Sequence, residues 1–370
     1  MTGRELPAPG VAATPPSTAD LEHLRSALAL AARGPLGDPN PRVGAVVTDA
    51  YGAVVGQGFH AGAGTAHAEV VALSEAGEMA RGGAAYVTLE PCAHTGRTGP
   101  CTDALLVSGI ARVFYAQADP TPVAGGGAER LRDAGVDVLG GVLAGEAEAL
   151  NSAWTFAHRH GRPMVTWKLA TTLDGRAAAT DGTSRWITGE AARADVHDLR
   201  ASCEAVLVGT GTALADDASL TARHPDGSLR ARQPLRVVMG RRSLPAGATL
   251  LDESAPTLHL TTHDPRLALQ ALWDKGIRHV LLEGGPTLAA AFLRAGVVDE
   301  VVAYVAPVLL GAGHPTVGDL GITTIDSALR LEPVDVTVLG ADVRIRARVA
   351  TASPRTTDPA TRPTPPEESH

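Results

Sequence analysis

From Asp20 onward the chain switches repeatedly between two hydrophobic periods. In DLEHLRSALALAARG the apolar residues Leu21, Leu24 and Leu28 recur at helical spacing, with an acidic start and Gly34 as a stop, so the segment is predicted to be a helix. VGAVVTD and AVVGQGF are β-branched runs around AYG and predict a hairpin. AEVVALSEAGEMA then reads as a helix, AAYVTLE as a strand, CTDALLVSG as a helix and RVFYAQ as a strand, before helix GAERLRDAG and strand VDVLGG. Around HRHGRP (158–163) the pattern restarts. PMVTWKLATTLDGRAA reads as a strand running into a turn, and EAVLVG, LRVVMG, PTLHLTT, RHVLLEG and DEVVAYVAPVLLG are further strands between helical or polar stretches. Helix and strand in turn imply sheets layered with helices, and no internal repeat relates the two halves.

A chain of 370 residues is too long for most single cores, so two α/β domains are expected, over residues 18–160 and 161–350. Hydrophobic residues make up 44 % but aromatics only 3 %, so Ala, Val and Leu must build the cores. Residues 1–17 and 351–370 are rich in Pro, Thr and Ala with few large apolar side chains, and are expected to be a disordered leader and tail. The net charge of −8 and the absence of a basic run with interleaved aromatics argue against nucleic acid as a partner. No apolar run is long enough to span a bilayer and the N-terminal stretch lacks a signal-peptide core, so a cytoplasmic protein with no membrane partner is expected. Three Cys cannot build a disulfide framework, and two of them flank one short loop.

That loop lies in HAEVVALSEAGEMARGGAAYVTLEPCAHTGRTGPC (67–101). His67, Cys92 and Cys101 supply the nitrogen and thiolate donors of a catalytic zinc site, which uses three protein ligands and leaves the fourth position to a water whose pKa falls from ~15.7 to ~7. Glu69, two residues from His67, can carry a proton without ligating the metal if both start a helix. His67-Ala68-Glu69 followed by Pro91-Cys92 and Cys101 is the arrangement of zinc deaminases, in which water replaces an amine on a ring carbon. The plainer alternative is a structural zinc site closed by His94, which would leave Glu69 without a role. Two Cys as core packing fits a loop beside Gly and Pro poorly.

HAE, TLEPCAHTGRTGPC and the upstream PNPRVGAVV (39–47) resemble the deaminase half of the bifunctional deaminase-reductase family of riboflavin biosynthesis. KLATTLDGRAA, SRWITG, GTGTALADDASLTAR, LLEGGPTLAAAFL and DEVVAYVAPVLLG are similar to its reductase half, so the resemblance covers about Asp20 to Val349. It implies a cytidine-deaminase-like three-layer domain followed by a dihydrofolate-reductase-like α/β domain, with Zn2+ and NADPH as cofactors. It also implies a small-molecule substrate, a phosphoribosylaminopyrimidine that is first deaminated and then reduced at its ribosyl group. The resemblance assigns zinc to His67, Cys92 and Cys101, proton transfer to Glu69, and the pyrimidine and phosphate end to Asn40, His94, Arg97 and Thr98. In the reductase half it places the cofactor on Ala170, Ser184, Trp186, Thr212, Asp216 and the loop Gly285, Pro286, Thr287, Leu288, Ala289, Ala290 and Ala291, and the substrate on Arg200, Leu220, Arg223 and Glu283. Gly99-Pro100 replaces the family's usual pair of prolines, and Gly240-Arg241 replaces its common Asp-Ser.

Residue chemistry agrees with part of this. GGPTL opens a helix whose free amides can bind an anion, Arg200 and Arg223 can grip a phosphate ester, and Lys168 or Asp174 can deliver a proton near the first reductase strand. Each also has a plainer reading: a tight turn, surface charges, a core Trp186, and Asp216-Asp217 as a cap. Cys203 reads as a small buried hydrophobe, and His158, His160, His197, His224, His263, His279 and His314 show no ligand spacing. The rival functions are a monofunctional deaminase whose second domain only binds nucleotide, and a nucleic-acid editing deaminase, which the acidic charge and scarce aromatics oppose. A homo-oligomer is expected, with two apolar strands near the C-terminus, VVAYVAPVLL, able to pair across a dimer.

Overall fold

The computed structural model describes residues 15–94, 99–121 and 125–350. The first helix, α1 (Thr18–Ala31), is closed by a reciprocal cap: Ser17 Oγ accepts from Asp20 N at 3.2 Å, and Asp20 Oδ2 accepts from Ser17 N at 2.8 Å. Ser17, expected at the end of the leader, is thus the first capping residue. The remainder of the leader up to residue 14, and the tail from residue 351, lie outside the described residues.

The expected hairpin is β1 (Gly44–Thr48) against β2 (Val54–Phe59). α2 (Ala68–Ala76), β3 (Ala84–Leu89), α3 (Cys101–Val107), β4 (Arg112–Gln117), α4 (Gly127–Asp133) and β5 (Asp137–Gly140) follow. They form a five-stranded sheet in the order β2-β1-β3-β4-β5, antiparallel at the hairpin and parallel from β3 to β5. Leu24 and Ala27 of α1 pack with Val46, Tyr86 and Phe114 on one face, and Ala72, Leu105 and Leu131 cover the other with Val47 and Val87. Both faces are buried, which is why β1 and β3 are continuous apolar runs rather than alternating ones. Gly56 and Gly58 let α2 lie directly on the hairpin: a Cβ there would stand 2.1 Å from the Ala72 carbonyl oxygen and 2.4 Å from that of Ala68. That contact fixes where α2 begins.

Two helices not anticipated from the sequence, α5 (Ala144–Leu150) and α6 (Ser152–His160), lead into the second sheet. Its elements are β6 (Met164–Thr172), β7 (Arg176–Ala178), α7 (Glu190–Ser202), β8 (Ala205–Gly209), α8 (Thr210–Asp216), β9 (Leu235–Met239), β10 (Thr257–Leu260), α9 (Pro265–Asp274), β11 (His279–Leu282), α10 (Pro286–Arg294), β12 (Glu300–Ala306), β13 (His314–Pro315), β14 (Leu331–Leu339) and β15 (Asp342–Val349). Eight strands run β10-β9-β8-β11-β6-β12-β15-β14, parallel from β10 to β12 and antiparallel through β15 and β14, while β7 and β13 form a small separate ladder. The α/β architecture expected for both halves is present.

Of the two strands expected to pair across a dimer, residues 307–310 form none and β12 is in the wrong place for it. β12 is hydrogen-bonded to β6 on one side and β15 on the other, so its backbone has no free edge. The edge strand on the antiparallel side is β14, whose Val334, Val336 and Val338 are exposed. The two sheets meet through α6 and an ion pair from Arg232 Nη1 to Asp38 Oδ2 at 2.6 Å.

Candidate active sites

The first site forms where two helix starts meet a strand end. His67 is the N-cap of α2 and Glu69 lies in its first turn; Cys92 follows β3 and Cys101 opens α3. His67 Nδ1 stands 3.1 Å from Cys101 Sγ and 3.7 Å from Cys92 Sγ, and the three donor atoms lie within 4.8 Å of one another. The neighbouring Cys101 thiol favours the Cys92 thiolate, helped by the His67 imidazole and by Cys101 N, which donates to Cys92 Sγ at 3.4 Å. Buried thiols and an imidazole clustered this closely are a donor set suited to zinc. His94 is outside the cluster, so among the described residues there are three ligands and not a closed set of four. Glu69 is 5 % exposed, and burial raises its carboxyl above the usual range.

These groups open into a cavity of 650 Å³ lined also by Asn40, His60, His94, Asp119, Trp154 and His158. Its wall is completed by Gly276 and Arg278, from the loop between α9 and β11 in the other half of the chain. His60 is a residue that sequence spacing did not signal. Its Nδ1 lies 3.1 Å from the Ala66 carbonyl oxygen and its Nε2 3.1 Å from Asn40 Nδ2. With the proton on Nδ1, Nε2 accepts from Asn40 and holds that amide in one orientation. Among the described residues His94 Nδ1 has no partner. Burial raises the carboxyl of Asp119, which accepts from Thr121. Arg97 and Thr98 lie outside the described residues.

The second site is spread along the C-terminal ends of the parallel strands. Glu283, just past β11, accepts from Arg200 at 2.6 and 3.0 Å in a two-pronged pair and has Lys168 Nζ at 3.7 Å. Arg200 also donates to the Thr221 carbonyl at 3.2 Å, and His197 Nδ1 is 3.1 Å from the same oxygen. Arg200 is therefore no free surface charge. The two cations hold Glu283 at about 2, and burial lowers Lys168. Arg223 donates to Thr221 Oγ1 at 3.1 Å and to the Gly227 carbonyl at 2.8 Å. Leu220 has φ 52° and is buried, so its backbone is the part that can face a ligand. Asp174 accepts from Thr172, Leu310 and Gly311, which keeps its carboxyl at about 2, without a proton to give.

Of the residues expected at the cofactor, Thr212 and the segment from Gly285 to Ala291 lie near two helix starts. Gly285 caps α10 and its amide donates to Thr212 Oγ1 of α8 at 3.2 Å. Pro286 has no N–H, so among the described residues the amides of Gly284 and Thr287 remain without an acceptor beside the ends of β8 and β11. Glycine backbone and free amides at the start of a helix fit a dinucleotide phosphate. Ala170 ends near this point on β6, and Leu288 packs beside Gly209. Ala289 and Ala290 point into the core, so only their backbone can meet a ligand, whereas Ala291 is half-buried. Ser184 is exposed, and Trp186 is 70 % exposed under the Arg193 guanidinium, which excludes a core role. Asp216 is exposed at the end of α8 and its carbonyl accepts from Arg185 at 2.7 Å. At the departure from the family pattern, Gly240 has φ 136° and a Cβ there would stand 2.8 Å from Thr210 Oγ1, so the site of the usual Asp is here closed to a side chain.

Comparison with known proteins finds relatives of both halves of the chain. Residues 17–117 match the profile described as the cytidine and deoxycytidylate deaminase zinc-binding region, and residues 163–345 match the RibD C-terminal domain. The riboflavin biosynthesis protein RibD of Mycobacterium tuberculosis is 52 % identical over 306 residues, covering 82 % of this chain and 90 % of the relative. RibD of Escherichia coli is 41 % identical over 361 residues, covering 88 % and 98 %. The structure of Acinetobacter baumannii RibD superposes with a TM-score of 0.82 at 38 % identity, over 90 % of this chain and 99 % of that one. Zinc is the cofactor of the deaminase domain and NADPH that of the reductase domain. With both domains present at this identity over most of its length, the chain belongs to the RibD family of bifunctional deaminase-reductases of riboflavin biosynthesis.

Proposed function

We propose that the enzyme acts twice on one substrate. It deaminates 2,5-diamino-6-(5-phosphoribosylamino)pyrimidin-4-one, then reduces the ribosyl group of the product to the ribityl chain. The observation that carries the reading is the juxtaposition of Glu69 with the His67, Cys92 and Cys101 cluster, in a chain that also holds the Lys168–Glu283–Arg200 group. A solved relative from Thermotoga maritima is named for this pair of activities on these substrates, at 33 % identity and a TM-score of 0.81 over 90 % of this chain and 99 % of its own.

In the first reaction His67, Cys92 and Cys101 would hold zinc, which when bound would supply the Lewis acidity that makes water nucleophilic near neutral pH. Glu69 takes a proton from the attacking water and delivers one to the departing amine, so that the ring carbon exchanges C–NH2 for C=O and ammonia leaves. Asn40, oriented by His60, reads the pyrimidine edge; His94, Arg97 and Thr98 complete that end of the pocket. In the second reaction Ala170, Ser184, Trp186, Thr212, Asp216 and the segment Gly285–Ala291 would hold NADPH, which when bound would supply the hydride for the ribosyl C1′. The bond from C1′ to the ring oxygen breaks, and that oxygen takes a proton. Lys168 is the donor, because Asp174 is fully ionised and Glu283 holds the ammonium in place. Arg200 and Glu283, with Arg223 and the backbone at Leu220, position the sugar.

The division into a deaminase domain over 18–160 and a reductase domain over 161–350 follows the two sheets. We further infer a homo-oligomer through the exposed face of β14, which Val336→Glu should dissociate in light scattering, and a cytoplasmic location, where thiol ligands stay reduced. Among the described residues no helix is long and apolar enough to cross a membrane. The main reading is tested by product mass with and without NADPH. Two sequential mass changes, the second alone needing NADPH, are expected. Deamination with no NADPH-dependent step would instead favour a second domain that only binds nucleotide.

A further inference from the structure

The deaminase cavity is not built by one half of the chain alone, and the residue that crosses into it is a cation. Arg278 lies at the end of the α9–β11 loop, and its guanidinium stacks 3.7 Å over the Trp273 ring. Its Nη1 donates to the carbonyls of Trp273 and Ile277 at 3.0 and 3.1 Å, and its backbone amide donates to Glu204 at 2.9 Å. Side chain and loop are thus held in place. Among the described residues no carboxylate forms an ion pair with this guanidinium, so Nε and Nη2 are left for a ligand. Trp154 and His158 of α6 line the cavity between this wall and the zinc cluster, and His158 meets Trp273 edge-on at 5.9 Å.

Charge then sets the direction of the substrate. The carboxylates lining the cavity are Glu69, Glu90 and Asp119, while Arg278 is the permanent cation among the described lining residues. Glu90 is committed to the backbone amides of Asp119 and Ala128. A phosphate dianion is repelled from the carboxylates and attracted to a guanidinium that presents two free donors. The cavity of 650 Å³ is in the range that encloses a ligand of nucleotide size.

We propose that Arg278, supplied by the reductase half, binds the 5-phosphate of the substrate during deamination, with the pyrimidine at Glu69 and the phosphoribosyl arm along Trp154 and His158. The proposal rests on the deaminase reading and adds to it the residue that selects a phosphorylated substrate. It makes the reductase half a working wall of the other active site.

The test uses the full-length, zinc-loaded protein and follows ammonia release from the phosphorylated substrate and from its dephosphorylated riboside. Arg278→Met keeps an unbranched side chain beside Trp273 and removes the charge. It should raise KM for the phosphorylated substrate by about 10- to 100-fold, leave kcat nearly unchanged and leave the riboside unaffected. Arg278→Lys should restore part of the preference, and ribose 5-phosphate should inhibit Arg278→Met more weakly than the unmodified enzyme. Zinc content and NADPH-dependent reduction, unchanged in Arg278→Met, report that the fold is intact. Equal losses on both substrates, no loss on either, or a phosphate preference abolished only by Arg97→Ala would overturn the proposal. If the unmodified enzyme releases no ammonia, the deaminase reading itself falls and the proposal with it.

Discussion

The two active sites solve the same problem, holding reactive groups in fixed geometry, with opposite economies of sequence. The candidate deaminase centre draws its three metal-ligating side chains and the buried carboxyl of Glu69 from residues 67–101, and it places them with two helix starts and one strand end. The candidate reductase site draws on residues from Lys168 to Ala291 and offers much of its surface as backbone at the ends of parallel strands. In the first, the chemistry needs particular side chains at particular spacings. In the second, the reactive hydride belongs to the cofactor, and the protein contributes shape, amides and a few buried charges.

If that contrast is right, the two reactions should fail independently. The largest effect is expected for Glu69→Gln, which should lower deamination by about a thousandfold or more while leaving bound zinc and the reduction of the aminouracil intact. Bound zinc is read by elemental analysis. Loss of both reactions would show that the sites are coupled through more than a shared wall. Lys168→Met is the mirror experiment, expected to slow reduction about a hundredfold with deamination unchanged, read as NADPH oxidation at saturating cofactor. A full-rate Lys168→Met enzyme would remove this lysine as the proton donor.

The smallest effect lies at the junction between the halves. Burial lifts the Glu204 carboxyl to about 7, beside Arg278, Arg232 and Asp38. A carboxyl raised in the folded state favours folding while it is protonated, so stability should fall as pH rises from about 4.5, its unfolded value, through 7. Glu204→Gln removes that dependence. It should be neutral near pH 5 and stabilising by about 2 kcal/mol at pH 8, seen as a melting temperature a few degrees higher. A difference between variant and parent that stays constant across this range would mean the carboxyl is not strained.

The sequence shows the two sites to very different degrees. His67, Glu69, Cys92 and Cys101 are legible because metal ligation constrains residue type and spacing together, and α2 and α3 begin where those residues need them. Most strands were legible as apolar runs. The same signal misleads at β12: VVAYVA is continuous and apolar because the strand is buried on both faces in mid-sheet, whereas an edge shows the one-sided alternation of Val334, Val336 and Val338 in β14. Arg200 looks like a surface charge until Glu283 is found against it, 83 positions along the chain. His60, His158 and Arg278 belong to ordinary residue types at uninformative spacings; the folding of the first half brings His60 and His158 to one cavity, and the packing of the halves adds Arg278.

That packing has a genetic corollary. The loop carrying Gly276 and Arg278 lies inside the segment that matches the RibD C-terminal domain, yet it faces the first reaction's cavity. An allele mapped to this loop would score as a defect in the first enzyme, and would fail to complement a null allele of the first domain when supplied on a separate chain. Separating the two halves into two genes would then require the first to acquire a replacement for a surface it now borrows.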